Sequence, residues 1–162
     1  MATNDGFAEY RKQKMKEGLE FQDFAIKLCF NTIGLVIVQY VSPKCQMEHG
    51  ESRNGVEIKY DSRIQETGNV FIEIGEKAGP RGGSHAPSGI YRNDNTWLYL
   101  VGNYDIVFIF ALTTLKLLHK RSINGNTCYR EVPSGTETSW GFLLPVDEAK
   151  KFAAYVFDPP PK

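Results

Sequence analysis

Gly55-Val56-Glu57-Ile58-Lys59-Tyr60-Asp61, followed by Thr67-Gly68-Asn69-Val70-Phe71-Ile72-Glu73, decides how this chain is read. Both stretches alternate at period two, the signature of strands with one apolar and one polar face. Val56, Ile58 and Tyr60 point one way, and Glu57, Lys59 and Asp61 the other. In the second stretch Val70, Ile72 and Ile74 share a face opposite Phe71, Glu73 and Gly75. Thr67-Gly68-Asn69 suits a tight turn, since Gly accepts positive φ. The pattern therefore predicts a hairpin that gathers three carboxylates and one lysine on one side.

Outward from this hairpin, the 162 residues are long enough for one domain, 1–162, with a real core. Lys plus Arg and Asp plus Glu number 19 each, so the bulk charge names no partner. A nucleic-acid binder of this composition needs a local basic face. Cys29, Cys45 and Cys128 are odd in number and lack zinc-ligand spacing. The polar N-terminus and the absence of a long apolar run predict a soluble, cytoplasmic protein with no membrane partner.

Residues 1–6 read as frayed, and about Phe7 to Asn31 as an amphipathic helix that Gly18 divides. Leu35 to Val41 reads as a buried strand ended by Pro43, and residues 43–54 as loop. Gly75 to Gly89 is too Gly-rich for a regular element and reads as a mobile surface loop. Residues 97–101 and 106–110 predict two strands, and Leu112 to Lys120 a short helix with a basic end. A Gly/Ser/Thr-rich stretch, 122–141, leads to a last helix from Pro145 through Phe157 capped by Asp147. The order predicts an α/β fold whose central sheet is mixed and flanked by helices.

Strand rise separates i and i+4 by roughly 13 Å, so Glu57 and Asp61 do not easily share one ion. Glu73 on the neighbouring strand faces either Glu57 or Asp61, depending on where the turn centres; the sequence leaves this register open. Two carboxylates on adjacent strands suffice for Mg²⁺, which keeps several waters and bridges to a substrate phosphate. A lysine beside them orients the attacking water or offsets charge on the phosphorane. Such a set points to phosphodiester hydrolysis.

At these residues, with Glu20 on the opening helix and Ser88-Gly89-Ile90 and Trp97 downstream, the chain resembles the PD-(D/E)XK (restriction-endonuclease-like) nucleases. The resemblance spans roughly residues 17–110 and is to small phage and bacterial members. It implies a restriction-endonuclease-like core and a Mg²⁺- or Mn²⁺-dependent DNA endonuclease. The implied catalytic set is Glu57, Lys59, Asp61 and Glu73, with Asp61, Glu73 and Glu57 as metal ligands and Glu20 and Lys77 as accessory groups. A homodimer follows from the need to cut two strands. The alternative is a catalytically inactive nuclease-fold protein that binds nucleic acid or a protein partner.

The family motif is laid down in two ways. Asp61 with Glu73 has the right spacer, but Gly75 stands where the lysine belongs, leaving Lys59 or Lys77 to substitute. Alternatively Glu57-Ile58-Lys59 is the triplet, and Glu48 replaces the upstream acid. The first is preferred because it puts the acids on adjacent strands. The Gly79–Ser84 segment lacks a phosphate-loop ending. His49, His85 and His119 are isolated and read as surface residues. DNA contacts are expected from Arg81, Arg92, Lys120 and Arg121, with Arg11, Lys12, Lys14, Lys16 and Lys116 as further local positive charge.

Overall fold

The computed structural model describes residues 4–77, 84–124, 129–134 and 138–161, with side chains from Glu9 onward, Arg11 excepted. Its centre is a pair of strands that are apolar on both faces. These are β4 (Leu98–Gly102) and β5 (Val107–Ala111), which pair antiparallel, as their sequence runs predict. Strands buried on both faces read as near-continuous hydrophobic runs, and both are inside a four-stranded sheet. β1 (Val56–Tyr60) lies parallel to β4 at one edge, and β8 (Tyr155–Phe157) lies antiparallel to β5 at the other. This first sheet is therefore mixed.

A second, antiparallel sheet has the order β3 (Ala86–Pro87), β2 (Asn69–Glu76), β7 (Ser139–Pro145), β6 (Glu131–Pro133). Alternation along the strands sorts the core into two layers. Val56, Ile58, Leu98, Leu100, Val107 and Ile109 pack with Phe21, Ala25, Leu28 and Cys29 of helix α1 (Asn4–Ile33). Tyr99, Val101, Phe108 and Phe110 instead meet Val70, Ile72, Phe142 and Leu144 of the second sheet. Leu112, Leu115 and Leu118 of α4 (Leu112–Ile123) and Ala149 of α5 (Val146–Phe152) close that second layer.

The expected hairpin does not form: β1 and β2 belong to different sheets. The link explains why. Asp61 Oδ1 accepts the Arg63 N–H at 3.0 Å, which starts a turn into the one-turn helix α3 (Ile64–Thr67). Gly68 ends α3 in the left-handed region, φ 66°. The Thr67-Gly68-Asn69 turn therefore exists, but it redirects the chain instead of folding it back. Parallel pairing of β1 with β4 then makes residues 61–97, including β2, the crossover.

Other boundaries move too. α1 runs unbroken through Gly18, which has open space on its Cβ side. Leu35 to Val41 is not a buried strand: it makes an isolated bridge, Gln39 to Ser52, with Val36, Val38 and Val41 exposed, and α2 (Pro43–His49) replaces the expected loop. α4 reaches Ile123, and the polar 122–141 stretch contributes β6 and the start of β7. The last helix stops at Phe152, so Tyr155–Phe157 can pair as β8; Pro145 is its N-cap residue, with Asp147 in the first turn. Within 75–89, residues 78–83 lie outside the described residues, and Ala86–Pro87 forms β3. Cys29 is buried, which pushes its thiol to about 11, and Cys45 is also a free thiol; Cys128 lies outside the described residues. Among the described residues no helix is long and apolar enough to cross a membrane.

Candidate active site

Glu57 and Lys59 sit on the face of β1 that turns away from α1, and that face is covered at Glu57 and open to a cleft at Lys59. Glu57 is 1 % exposed. Its Oε1 pairs with Lys59 Nζ at 2.8 Å, and Lys59, with 31 % of its side chain exposed, also reaches Glu51 Oε1 at 3.4 Å. Glu51 Oε2 accepts the Ile58 N–H at 3.1 Å, and Ser52 Oγ accepts that of Val56 at 2.7 Å. These two side chains cap N–H groups along the open edge of β1, where an exposed strand otherwise invites another chain.

Glu73 arrives from the second sheet, close enough for its charge to be felt at both Glu57 and Lys59. A bulge between Glu73 and Gly75 in the β2–β7 ladder re-aims the strand there. Ser88 Oγ donates to Glu73 Oε1 at 2.6 Å. Gly89, at φ +51°, lets the chain after Ser88 lie against the Glu73 backbone, where a Cβ would stand 2.2 Å from Glu73 O. Only glycine fits that position.

Three carboxylates, Glu51, Glu57 and Glu73, thus face one ammonium. Burial drives the Glu57 carboxyl above its ordinary value; Lys59 opposes this, while Glu51 and Glu73 reinforce it. Burial works against the Lys59 charge, but Glu57, Glu51 and Glu73 outweigh it and hold the ammonium well above its ordinary range. Glu57 Oε2 is buried without a hydrogen-bond partner among the described residues, and so is the hydroxyl of Tyr99, the β4 residue opposite Glu57 in register. A cleft of about 1380 Å³ is lined by Glu51, Lys59, Asp61, Glu73 and Tyr99, with Glu57 behind that lining, and is walled by Lys14 of α1 and by Lys77 and Arg130.

The other expected groups scatter. Asp61 lines the cleft, but its Oδ1 and Oδ2 accept the Arg63 and Phe71 N–H groups, at 3.0 and 2.9 Å. Burial raises its pKa against those bonds. Glu20 stands on an exposed part of α1 beside Lys16, at 3.8 Å, and Glu48 is exposed beside Lys44, at 3.9 Å. Arg92 also lines the cleft, held there by the Gln46 and Met47 carbonyls and by Asp94. Lys120 and Arg121 are exposed at the end of α4 and do not line the cleft. Lys12 and Lys16 are exposed, and Lys116 lies 5.9 Å from the Tyr91 ring centre. Arg81 and the Arg11 side chain lie outside the described residues.

Sequence reasoning missed Glu51 and Tyr99. Glu51 lies in an irregular segment with no period to betray it, and Tyr99 is hidden in an apolar run. Only the β1–β4 register relates Tyr99 to Glu57.

His119 is a correction: it is 5 % exposed, not a surface residue. Its Nδ1 meets the Tyr91 hydroxyl at 2.7 Å and its Nε2 meets Glu131 Oε1 at 2.8 Å. Trp140 Nε1 donates to Glu131 Oε2 at 2.9 Å, and the imidazole stacks on Phe142.

Among the described residues no three His, Cys, Asp or Glu side chains converge as a metal cage. The donors left for a hard cation are the unpartnered Glu57 oxygen, behind the cleft lining, and Glu73, which lines the cleft. One or two carboxylates with waters and phosphate oxygens are what Mg²⁺ ordinarily takes. No protein-family model, curated protein or solved structure matches the chain.

Proposed function

We propose that this chain is a Mg²⁺- or Mn²⁺-dependent DNA endonuclease with a restriction-endonuclease-like core. The observation that carries the reading is the unpartnered, buried oxygen of Glu57, whose other oxygen pairs with Lys59, a residue that lines an open cleft together with Glu73 and Tyr99. In this reading Glu57-Ile58-Lys59 is the family's triplet, and Glu73 supplies the second acid from the other sheet. Glu57 and Glu73 would hold the ion, which when bound polarises the phosphoryl oxygen and acidifies a water. Lys59 offsets the charge that builds on the phosphorane and orients the attacking water. Asp61 keeps the β1–β2 link in place, through its bonds to Arg63 and Phe71, so that Glu73 reaches the site. Lys14, Lys77 and Arg130 on the cleft walls are the groups for the DNA backbone. A homodimer would supply a second site for the second strand.

Incubation of the protein with duplex, branched and single-stranded DNA, in Mg²⁺ or Mn²⁺, tests this, with metal titration by calorimetry alongside. Cleavage that Glu57→Gln removes is the expected result. No cleavage of any substrate together with no metal binding overturns it. A second reading, a nuclease-fold protein that binds nucleic acid without cutting it, draws on the two ion pairs that already engage Lys59. Salt-sensitive DNA binding without cleavage is its signature.

A further inference from the structure

Tyr99 is fully buried, yet its hydroxyl has no hydrogen-bond partner among the described residues. Residues opposite each other on neighbouring strands put their side chains on the same face, and the opposite residue is Glu57, whose Oε2 is equally orphaned. The Glu73 main-chain N–H acts on the phenol oxygen, but an N–H can only donate. The hydroxyl proton is therefore left without an acceptor, and the carboxylate whose charge acts on that phenol has an oxygen left without a donor. Buried polar groups in folded proteins are almost always paired, and here the two missing halves are complementary.

We propose that Tyr99 is a positioning residue of the site, its hydroxyl linked to Glu57 Oε2 through one enclosed water. This rests on the reading of Glu57 as a metal-holding group. Lys59 grips Oε1 of Glu57, so a single free rotation about the last side-chain bond would otherwise swing Oε2. A donor fixed in β4, the strand paired with β1, removes that freedom. Groups that orient a metal-holding carboxylate typically matter about 10- to 100-fold in metal affinity or activity. Nothing else in β4 has this role: Leu98 and Leu100 face α1, and Val101 is apolar.

The test uses Tyr99→Phe and Glu57→Gln, singly and together, in the full chain. In metal-free protein with chelator, the tyrosine ultraviolet absorption is compared between wild type and Glu57→Gln, each against its Tyr99→Phe counterpart. A shift of the Tyr99 contribution on Glu57→Gln is expected, because the group at the far end of the water bridge changes from carboxylate to amide. An unshifted contribution overturns the proposal. Tyr99→Phe should remain folded, with a melting temperature close to that of wild type. It should lower Mn²⁺ affinity, measured by calorimetry, about tenfold, and lower kcat with KM within about twofold if the protein cleaves DNA. Combined with Glu57→Gln it should add nothing further, since the two act as one unit. Additive losses would also overturn the proposal. Should wild type neither cut DNA nor bind metal, the nuclease reading fails, and the metal-free spectrum still decides the Tyr99–Glu57 link.

Discussion

Two polar clusters border the same hydrophobic layer, which holds Tyr99 of one and Phe142 beside the other, and they are built on opposite rules. Around His119 the ring nitrogens and both Glu131 oxygens have partners: Tyr91, Glu131 and Trp140 form a closed chain against Phe142. Around Glu57 the accounts do not close, with two orphaned atoms and three carboxylates to one ammonium. A fully satisfied network rigidifies a core, whereas an unsatisfied one is unfavourable unless a further group completes it. The difference teaches where to look for function: not at the cluster that most resembles a catalytic relay, but at the one that is incomplete.

The sharpest way to break this contrast is Glu73→Ala. It should lower kcat by about 1,000-fold or more, beyond the loss from removing one hydrogen-bond donor, while the melting temperature stays near that of wild type. A folded Glu73→Ala protein that cleaves DNA at the wild-type rate would overturn the site.

Lys59→Met comes next. It leaves Glu57 buried and unpaired, which costs about 2–3 kcal/mol, the lower side of a broken buried pair because Lys59 is partly exposed. Mg²⁺ should recover more of that loss in this variant than it adds to wild type, because it replaces the missing positive charge. Urea melts with and without the ion measure both.

His119→Leu should cost about 2 kcal/mol through the Tyr91 and Glu131 groups it strands, yet leave kcat of the folded fraction unchanged. A specific loss of kcat would mean that the satisfied cluster also takes part in chemistry.

Acidification should act on the clusters in opposite directions. Burial raises the Glu57 pKa in the fold. Its contribution to stability is therefore complete below the ordinary glutamate range and is lost as pH rises through the folded value. Glu131 is pushed up by burial, but hydrogen bonds from His119 and Trp140 outweigh this and leave it lowered. Its contribution is present above the ordinary range and fades as pH falls through the folded value. Melting temperatures of metal-free Glu57→Gln and Glu131→Gln against pH should flatten the two limbs separately.

The smallest effect concerns DNA. Lys77→Glu with Arg130→Glu should reduce the slope of log affinity against log salt by about two units, at about 0.9 per duplex phosphate. Lys120→Glu with Arg121→Glu should change it less, since neither residue lines the cleft. An equal or larger change would move the DNA path to the end of α4.

Much of the site was legible and misplaced. The alternation in 56–60 put Glu57 and Lys59 on one face, as the structure has them, and marked Glu73 as the acid in an apolar strand. Asp61 was legible too, as a group of the cleft it lines, but not as the acceptor of two backbone N–H groups of the link. The hairpin failed because eight residues can turn back or turn away, and the Asp61–Arg63 bond that decides between them is a single local contact.

The sequence by itself determined what short-range geometry controls: the apolar stripe of α1, the period-two strands, the doubly apolar β4 and β5, and the pairing of an acid and a lysine two residues apart. Only the tertiary structure decided which strand lies beside which. That choice turned the polar face of β1 inward, brought Tyr99 and Glu73 to Glu57, and left Glu20 and Glu48 on the surface. The physical reason is that periodicity records the face a side chain takes, while strand partners are chosen by packing between residues far apart in the chain.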